Sequence, residues 1–128
     1  MTGADALLAA LDALPHGVVI ADAQNRLLHG NPAYWELIGA TPTTFARGIP
    51  MRDLVRLLAY RGFYGPGDPE AQIAAVVGLD RGRPSIRRLR TADGRQVREV
   101  ACVPLPGGGH LACAHDITRF VQAEAEAA

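Results

Sequence analysis

Arg88, Glu99 and Asp116 sit on three consecutive β-rich segments, at spacings that can bring them into one row. Asp93-Gly94, between the segments 85–91 and 95–105, is a two-residue hairpin signal because both residues tolerate positive φ. Pairing outward from that turn sets Arg88 opposite Glu99. With an even loop at the Pro106–Gly109 turn, the next pairing sets Glu99 opposite Asp116 and Cys102 opposite Cys113. A guanidinium beside two carboxylates could bind an acidic ligand or form a structural ion cluster. The cluster is the simpler reading, since perturbed charges also arise in purely structural networks. Ile86, Ala101, Val103, Ala112 and Ala114 share that face. The small alanines leave room either for a cavity or for an aromatic such as Tyr34 or Phe63.

Other reactive types carry less. Facing cysteines could form a redox switch, but in a reducing setting they read first as two small hydrophobes. His16, His29, His110 and His115 have no helical ligand spacing and no acidic partner a turn away, so no metal site is expected. Arg81, Arg83, Arg87, Arg88, Arg90, Arg95 and Arg98 crowd one hairpin without interleaved aromatics. That pattern protects an edge strand and does not suit nucleic acid. Gly107-Gly108-Gly109 joins two strands and lacks the helix start that phosphate binding needs. No nucleophile sits with a base, and Glu99 is the only candidate acid for a catalytic pocket.

The whole chain bounds these readings. Its 128 residues suit one domain, and 48% apolar with 20% charged residues is an ordinary globular balance. Net charge is zero, which gives no bias towards nucleic acid or an anionic membrane. All thirteen cations are arginine, a codon bias expected of a GC-rich bacterium. No signal peptide is visible, and no run reaches the ~20 apolar residues that span a bilayer, so a cytoplasmic setting without membrane contact is expected.

The elements that must position these residues follow from caps and periodicity. Thr2 to Asp5 reads as a helix start, with Leu7, Leu11 and Leu14 on one face and Pro15 as the stop. Two short strands, 17–22 and 26–30, flank a turn at Ala23-Gln24-Asn25. Asn31-Pro32 caps a helix ending at Gly39, and after Thr41-Pro42 a second helix spans 50–61 with Leu54, Leu57 and Leu58 on one face. Asp68-Pro69-Glu70 opens a third, with Ile73, Val76 and Val77 apolar. Three strands (85–91, 95–105 and 110–117) and a helix over 118–128 complete an α+β plan: an antiparallel sheet with helices grouped on one face.

That order resembles the PAS family. "GVVIADAQNRLLHGNPAYWELIG", "YGPGDPE", "LRTADGRQVREVACVPLPGGG" and "HDIT" are similar to its first hairpin and capped helix, the loop before its longest helix, its Asp-Gly hairpin and its terminal Asp-Ile-Thr. Gln24-Asn25 departs from the usual Asp-Gly, though Asn also tolerates positive φ. The resemblance implies a five-stranded antiparallel sheet in order 2-1-5-4-3, a core over 16–118, and flanking helices over 1–15 and 119–128. It also implies a pocket under the middle helices, for which Tyr34, Leu54, Leu58, Ile73, Val77, Arg88, Glu99, Ala101, Ala112 and Ala114 are the candidates. Asp116 and Thr118 would relay a signal into the last helix, with Thr118 as its cap. Haem is disfavoured because no histidine lies on the third middle helix, and covalent flavin because both cysteines are on late strands. The implied role is a non-catalytic sensory module that dimerises and feeds a C-terminal effector, a kinase or cyclase. Its cofactor is open and a small-molecule ligand is allowed. A ligand-free dimerisation module is the alternative. The N-terminal helix would cover an outer sheet face carrying Val100, Cys102, Leu111, Cys113 and Ile117.

Overall fold

In the computed structural model, the helices that follow Thr2, Asn31 and Asp68 start on side chains that satisfy free amides, whereas the one that follows Pro50 has no side-chain cap. The structure describes residues 2–41, 43 and 45–127. The Pro42 turn and the expected helix end at Ala128 therefore lie outside the described residues. Helix α1 (Gly3–Asp12) opens on a reciprocal capping box between Thr2 and Asp5. Helix α2 (Pro32–Ile38) starts on Asn31 and ends at Gly39, whose φ of 72° is left-handed. Helices α3 (Met51–Tyr60) and α4 (Pro69–Val77) follow, the latter capped by Asp68, which accepts from the Glu70 and Ala71 amides. Helix α5 (Thr118–Ala127) is the last of the five among the described residues.

Strands β1 (Gly17–Ala21), β2 (Leu27–Gly30), β3 (Ser85–Arg90), β4 (Val97–Pro104) and β5 (His110–Asp116) form one antiparallel sheet. Its order is β2-β1-β5-β4-β3, as the resemblance implied. The main core joins Val19, Ala21 and Leu27 of the sheet to Tyr34, Trp35 and Ile38 of α2 and Met51, Leu54 and Leu58 of α3. A second cluster of Val55, Ala59, Ile73 and Val76 holds α4 against α3.

The first hairpin register is as expected, with Arg88 opposite Glu99. The second is not. Glu99 pairs with His115, Arg98 with Asp116, and Cys102 with Ala112. The reason lies in the turn: the connection 105–109 has an odd number of residues, closed by Leu105 N–H to Gly109 O at 3.1 Å and Gly108 N–H to Leu105 O at 3.2 Å. Gly107, Gly108 and Gly109 all have positive φ, which lets the loop take this length without strain. A one-residue change in register flips every side chain of a strand.

The correction therefore reaches several residues. Arg88, Glu99 and Ala101 share the outer face with Cys113, while Val100 and Cys102 turn inward with Ala112 and Ala114. Cys102 and Cys113 lie on opposite faces and cannot pair. Helix α1 buries none of its residues; Leu7 is 69% exposed, and on the outer face Ile86 is 72% exposed. The cover expected from α1 is therefore missing over that end of the sheet.

Asn31 does more than cap. It is wholly buried, and its Oδ1 accepts from Tyr34 N–H at 2.9 Å and from Val18 N–H at 2.8 Å. Its Nδ2 donates to Leu11 O at 2.8 Å and His16 O at 2.9 Å. A lone cap is worth about 1 kcal/mol. Orphaning several buried backbone groups costs about 1–3 kcal/mol for each group. Asn31→Ala should therefore destabilise the fold by about 3 kcal/mol or more. A denaturation midpoint shift of cap size alone would show that water replaces the amide.

Candidate ligand cavity

Between the inner sheet face and the middle helices lies a cavity of about 60 Å³. Tyr34 from α2, Leu54 and Leu58 from α3, and Ala112 and Ala114 from β5 line it, so five of the ten expected pocket residues meet there. Ile73 and Val77 do not. They belong to the α3–α4 contact, because an apolar helical stripe marks burial without saying against what. Arg88, Glu99 and Ala101 are on the other side of the sheet. Phe63, named from sequence as an aromatic that could fill the space, is on the apolar wall, where sequence reasoning missed Val19, Met51, Val55, Tyr64 and Val76. It also missed Val100, Cys102, Arg81, Arg87 and His110, and a correct β4–β5 register would have found Val100, Cys102 and, opposite Val100, Arg87.

The volume decides what can fit. A water occupies about 30 Å³ in the liquid, and drug-sized pockets run to about 300–1,000 Å³. Tyr34 and Phe63 line the same small space as Ala112 and Ala114, and at this volume the conformation has room for about two waters and none for a haem or flavin ring system.

One end of the cavity is polar. Arg81 Nη2 donates to Val76 O at 3.1 Å, and Nη1 lies 3.8 Å from Cys102 Sγ. Arg87, on the inner face of edge strand β3, is half-buried; burial, and then the nearby Arg81, hold its guanidinium below the usual value, against the pull of Tyr64. Burial pushes the Tyr64 phenol up to about 12, and Tyr34 is also raised by burial. His110 is 5% exposed, and burial followed by Arg81 lowers its pKa. Arg81 and His110 also line an open surface groove of about 590 Å³ on their far side. They stand between the cavity and solvent.

The remaining charges are structural. Arg98, read from sequence as one of an exposed edge cluster, is instead buried: its guanidinium sits 4.7 Å over the Phe63 ring and donates to Leu37 O at 3.1 Å and Gln96 Oε1 at 2.6 Å. Arg88 lies 4.0 Å from Glu99 and 3.6 Å from Glu124 of α5, an exposed set of little energetic weight. His16 meets His115 edge-on at 4.6 Å, and His29 bonds Asp12 at 2.7 Å. Among the described residues no group of three His, Cys, Asp or Glu could hold a metal, and no helix is long and apolar enough to cross a membrane. Burial raises the Cys113 thiol, which disfavours the reactive thiolate.

Both proposed relay residues lie at the exit from β5. Asp116 Oδ1 accepts the Thr118 N–H at 2.8 Å and also bonds its hydroxyl, while Thr118 Oγ1 accepts from Val97 N–H of β4 at 3.0 Å. Burial pushes Asp116 up, but the Thr118 bonds and the charge of Arg98 outweigh it and hold the carboxyl below its usual range. Asp116, not Thr118, serves the first amide of α5.

His110 gives a pH prediction. Its folded pKa lies below the unfolded value of about 6.5, so the unfolded chain binds the extra proton in between. Its contribution to stability is complete above that value and is lost as pH falls towards the folded one. Denaturation midpoints should drop as pH falls through and below about 6.5, and His110→Gln should flatten that slope. Asp93, Asp116 and Glu70, whose pKa values are lowered, act at more acid pH. An unchanged slope in the variant would remove His110 as the cause.

A family profile described as PAS fold matches residues 11–125. No curated protein sequence matches. Among solved structures, the PAS domain of BvgS from Bordetella pertussis is similar over 98% of both chains, at 20% identity and a TM-score of 0.58. A domain of a sensory box sensor histidine kinase/response regulator from Geobacter sulfurreducens is 27% identical over 88% of this chain and 93% of that one, at a TM-score of 0.50. An RNA-binding light-oxygen-voltage receptor matches 95% of this chain at 21% identity and a TM-score of 0.62; the chain spans 34% of that receptor's length.

Proposed function

Because the chain belongs to the PAS-fold family, we propose that it is the cytoplasmic input module of a bacterial signalling protein, dimeric and joined beyond α5 to an effector such as a histidine kinase or a cyclic-dinucleotide enzyme. One observation carries this reading. Strands β4 and β5 supply both Val100, Cys102, Ala112 and Ala114 of the cavity and the Val97–Asp116–Thr118 junction that holds α5. A ligand that spreads the two strands at the cavity strains the hydrogen bonds that aim the output helix. The histidine-kinase relative supports the choice of effector class.

The domain itself is read as non-catalytic. Glu99, the one acid considered for catalysis, lies on the outer face beside Arg88. The near-filled interior supports a second reading, a dimerisation module that carries no ligand. Both readings need the dimer. Leu7, Leu14, Ile86, Val103 and Phe120 are exposed apolar groups that self-association would cover.

Sedimentation at high concentration should give a dimer, and Leu7→Asp should weaken it; a strictly monomeric wild type would count against both readings. Mass spectrometry of small molecules released from the purified domain separates them. A stoichiometric species supports the sensor, and clean release spectra support the ligand-free module.

A further inference from the structure

The polar end of the cavity holds two guanidiniums and a buried imidazole, yet no carboxylate lines it. Among the described residues neither Arg81 nor Arg87 makes an ion pair; the arginine ion pairs belong to Arg56, Arg83 and Arg88. Arg81 donates to Val76 O and to the Cys102 sulfur, but no hydrogen bond is formed by the Arg87 side chain among the described residues. A half-buried guanidinium has lost part of its hydration and is stabilised by an anion in reach. The registers fix where such an anion would sit. Arg87 opposes Val100, which opposes Ala114; one row on, Ser85, Cys102 and Ala112 align; the next row on β5 is His110. Cys102 is thus central, with Arg87, Arg81 and His110 around it. Nearby carboxylates are confined to the outer groove, where Asp22 and Asp80 line the far side of Arg81 and His110, and Asp80 is already paired with Arg83.

We infer that this cavity takes a small organic anion, a carboxylate no larger than acetate, in place of the water that its present volume of about 60 Å³ would hold. Arg87 binds its charged end beside Cys102, and Arg81 and His110 close the route from the outer groove. The apolar wall of Ala112, Ala114 and Leu58 receives the rest of the molecule. This rests on the sensory reading and names its ligand class. The neutral state of His110, which burial favours, lets it donate or accept without adding a third charge.

The test titrates the domain with acetate and with its neutral analogue acetamide at fixed ionic strength, reading heat and the methyl shifts of Ala112 and Ala114. Acetate should saturate and move both methyls, and acetamide should bind about ten-fold more weakly or worse. Arg87→Gln should lose acetate by a similar factor, whereas Arg88→Gln, one residue along on the outer face, should not. Comparing acetate with acetamide uses the wild type alone, so a misfolded variant leaves that arm intact. Equal binding of the two compounds, or acetate binding indifferent to Arg87, overturns the anion class while leaving the cavity a ligand site. Methyls that neither compound moves overturn the inference, whereas the ligand-bearing reading stands or falls on the released small molecules.

Discussion

The buried amide of Asn31 is the constraint on which the rest of the fold depends. Three chain segments converge there: the exit from α1, the start of β1 and the start of α2. Each brings a backbone group that burial would leave without water: Leu11 O, His16 O, Val18 N–H and Tyr34 N–H. Two donors and two acceptors are needed from one short side chain, and an amide is the group that offers both. An aspartate would keep the two accepted bonds and set its charge against two carbonyls. The amide also brings α2 close to the sheet. A Cβ on Gly17 would lie 2.9 Å from Tyr34 Cα, and one on Gly30 would lie 2.4 Å from the Trp35 ring. Tyr34 and Val19 both line the cavity, so its size is set partly by a hydrogen-bond hub outside it.

Most of the architecture was legible because local chemistry and tertiary need agree. Asn31-Pro32, Asp68-Pro69 and Thr2–Asp5 each announce a helix start that the structure uses. Asp93-Gly94 fixed one register because a two-residue turn admits little choice. The glycine turn fixed nothing. Three consecutive glycines allow odd or even loops at similar cost, and what selects the odd one is tertiary: a Cβ on Gly109 would meet Ala21 O at 2.4 Å, so the loop packs against the end of β1. That contact cannot be read from the turn itself. Its consequence is parity, which moved Glu99, Ala101 and Arg88 off the cavity and brought in Val100, Cys102 and Arg87.

Arginine was the other residue type whose sequence position said too little. Arg88 and Arg98 both lie beside the Asp-Gly hairpin, and composition treats them alike. Yet one is exposed among carboxylates, and the other is buried against Phe63 with carbonyl and amide acceptors. The guanidinium's flat apolar faces and forked donors make the second environment tolerable. Its Nε remains buried without a partner, so Arg98 is held by its neighbours at some cost, as a structural post between β4 and the end of α2.

That post also bears on how the cavity and α5 are mechanically connected. The row Val100–Ala114 lines the cavity, and the next row on the same face is Arg98–Asp116. Asp116 bonds Thr118, and Thr118 bonds Val97, so the first turn of α5 is tied to both central strands. A shift of β5 against β4 cannot be absorbed between these rows, because the strands are continuous and their ladder hydrogen bonds resist shear. It can be absorbed at the junction, where Asp116 and Thr118 are less buried and can exchange a bond with water. The stiff part of the path is therefore the sheet, and the compliant part is the strand-to-helix corner. Helix α5 has no buried residue of its own, so its direction depends on that corner and on the weak Arg88–Glu124 contact, not on packing against the core.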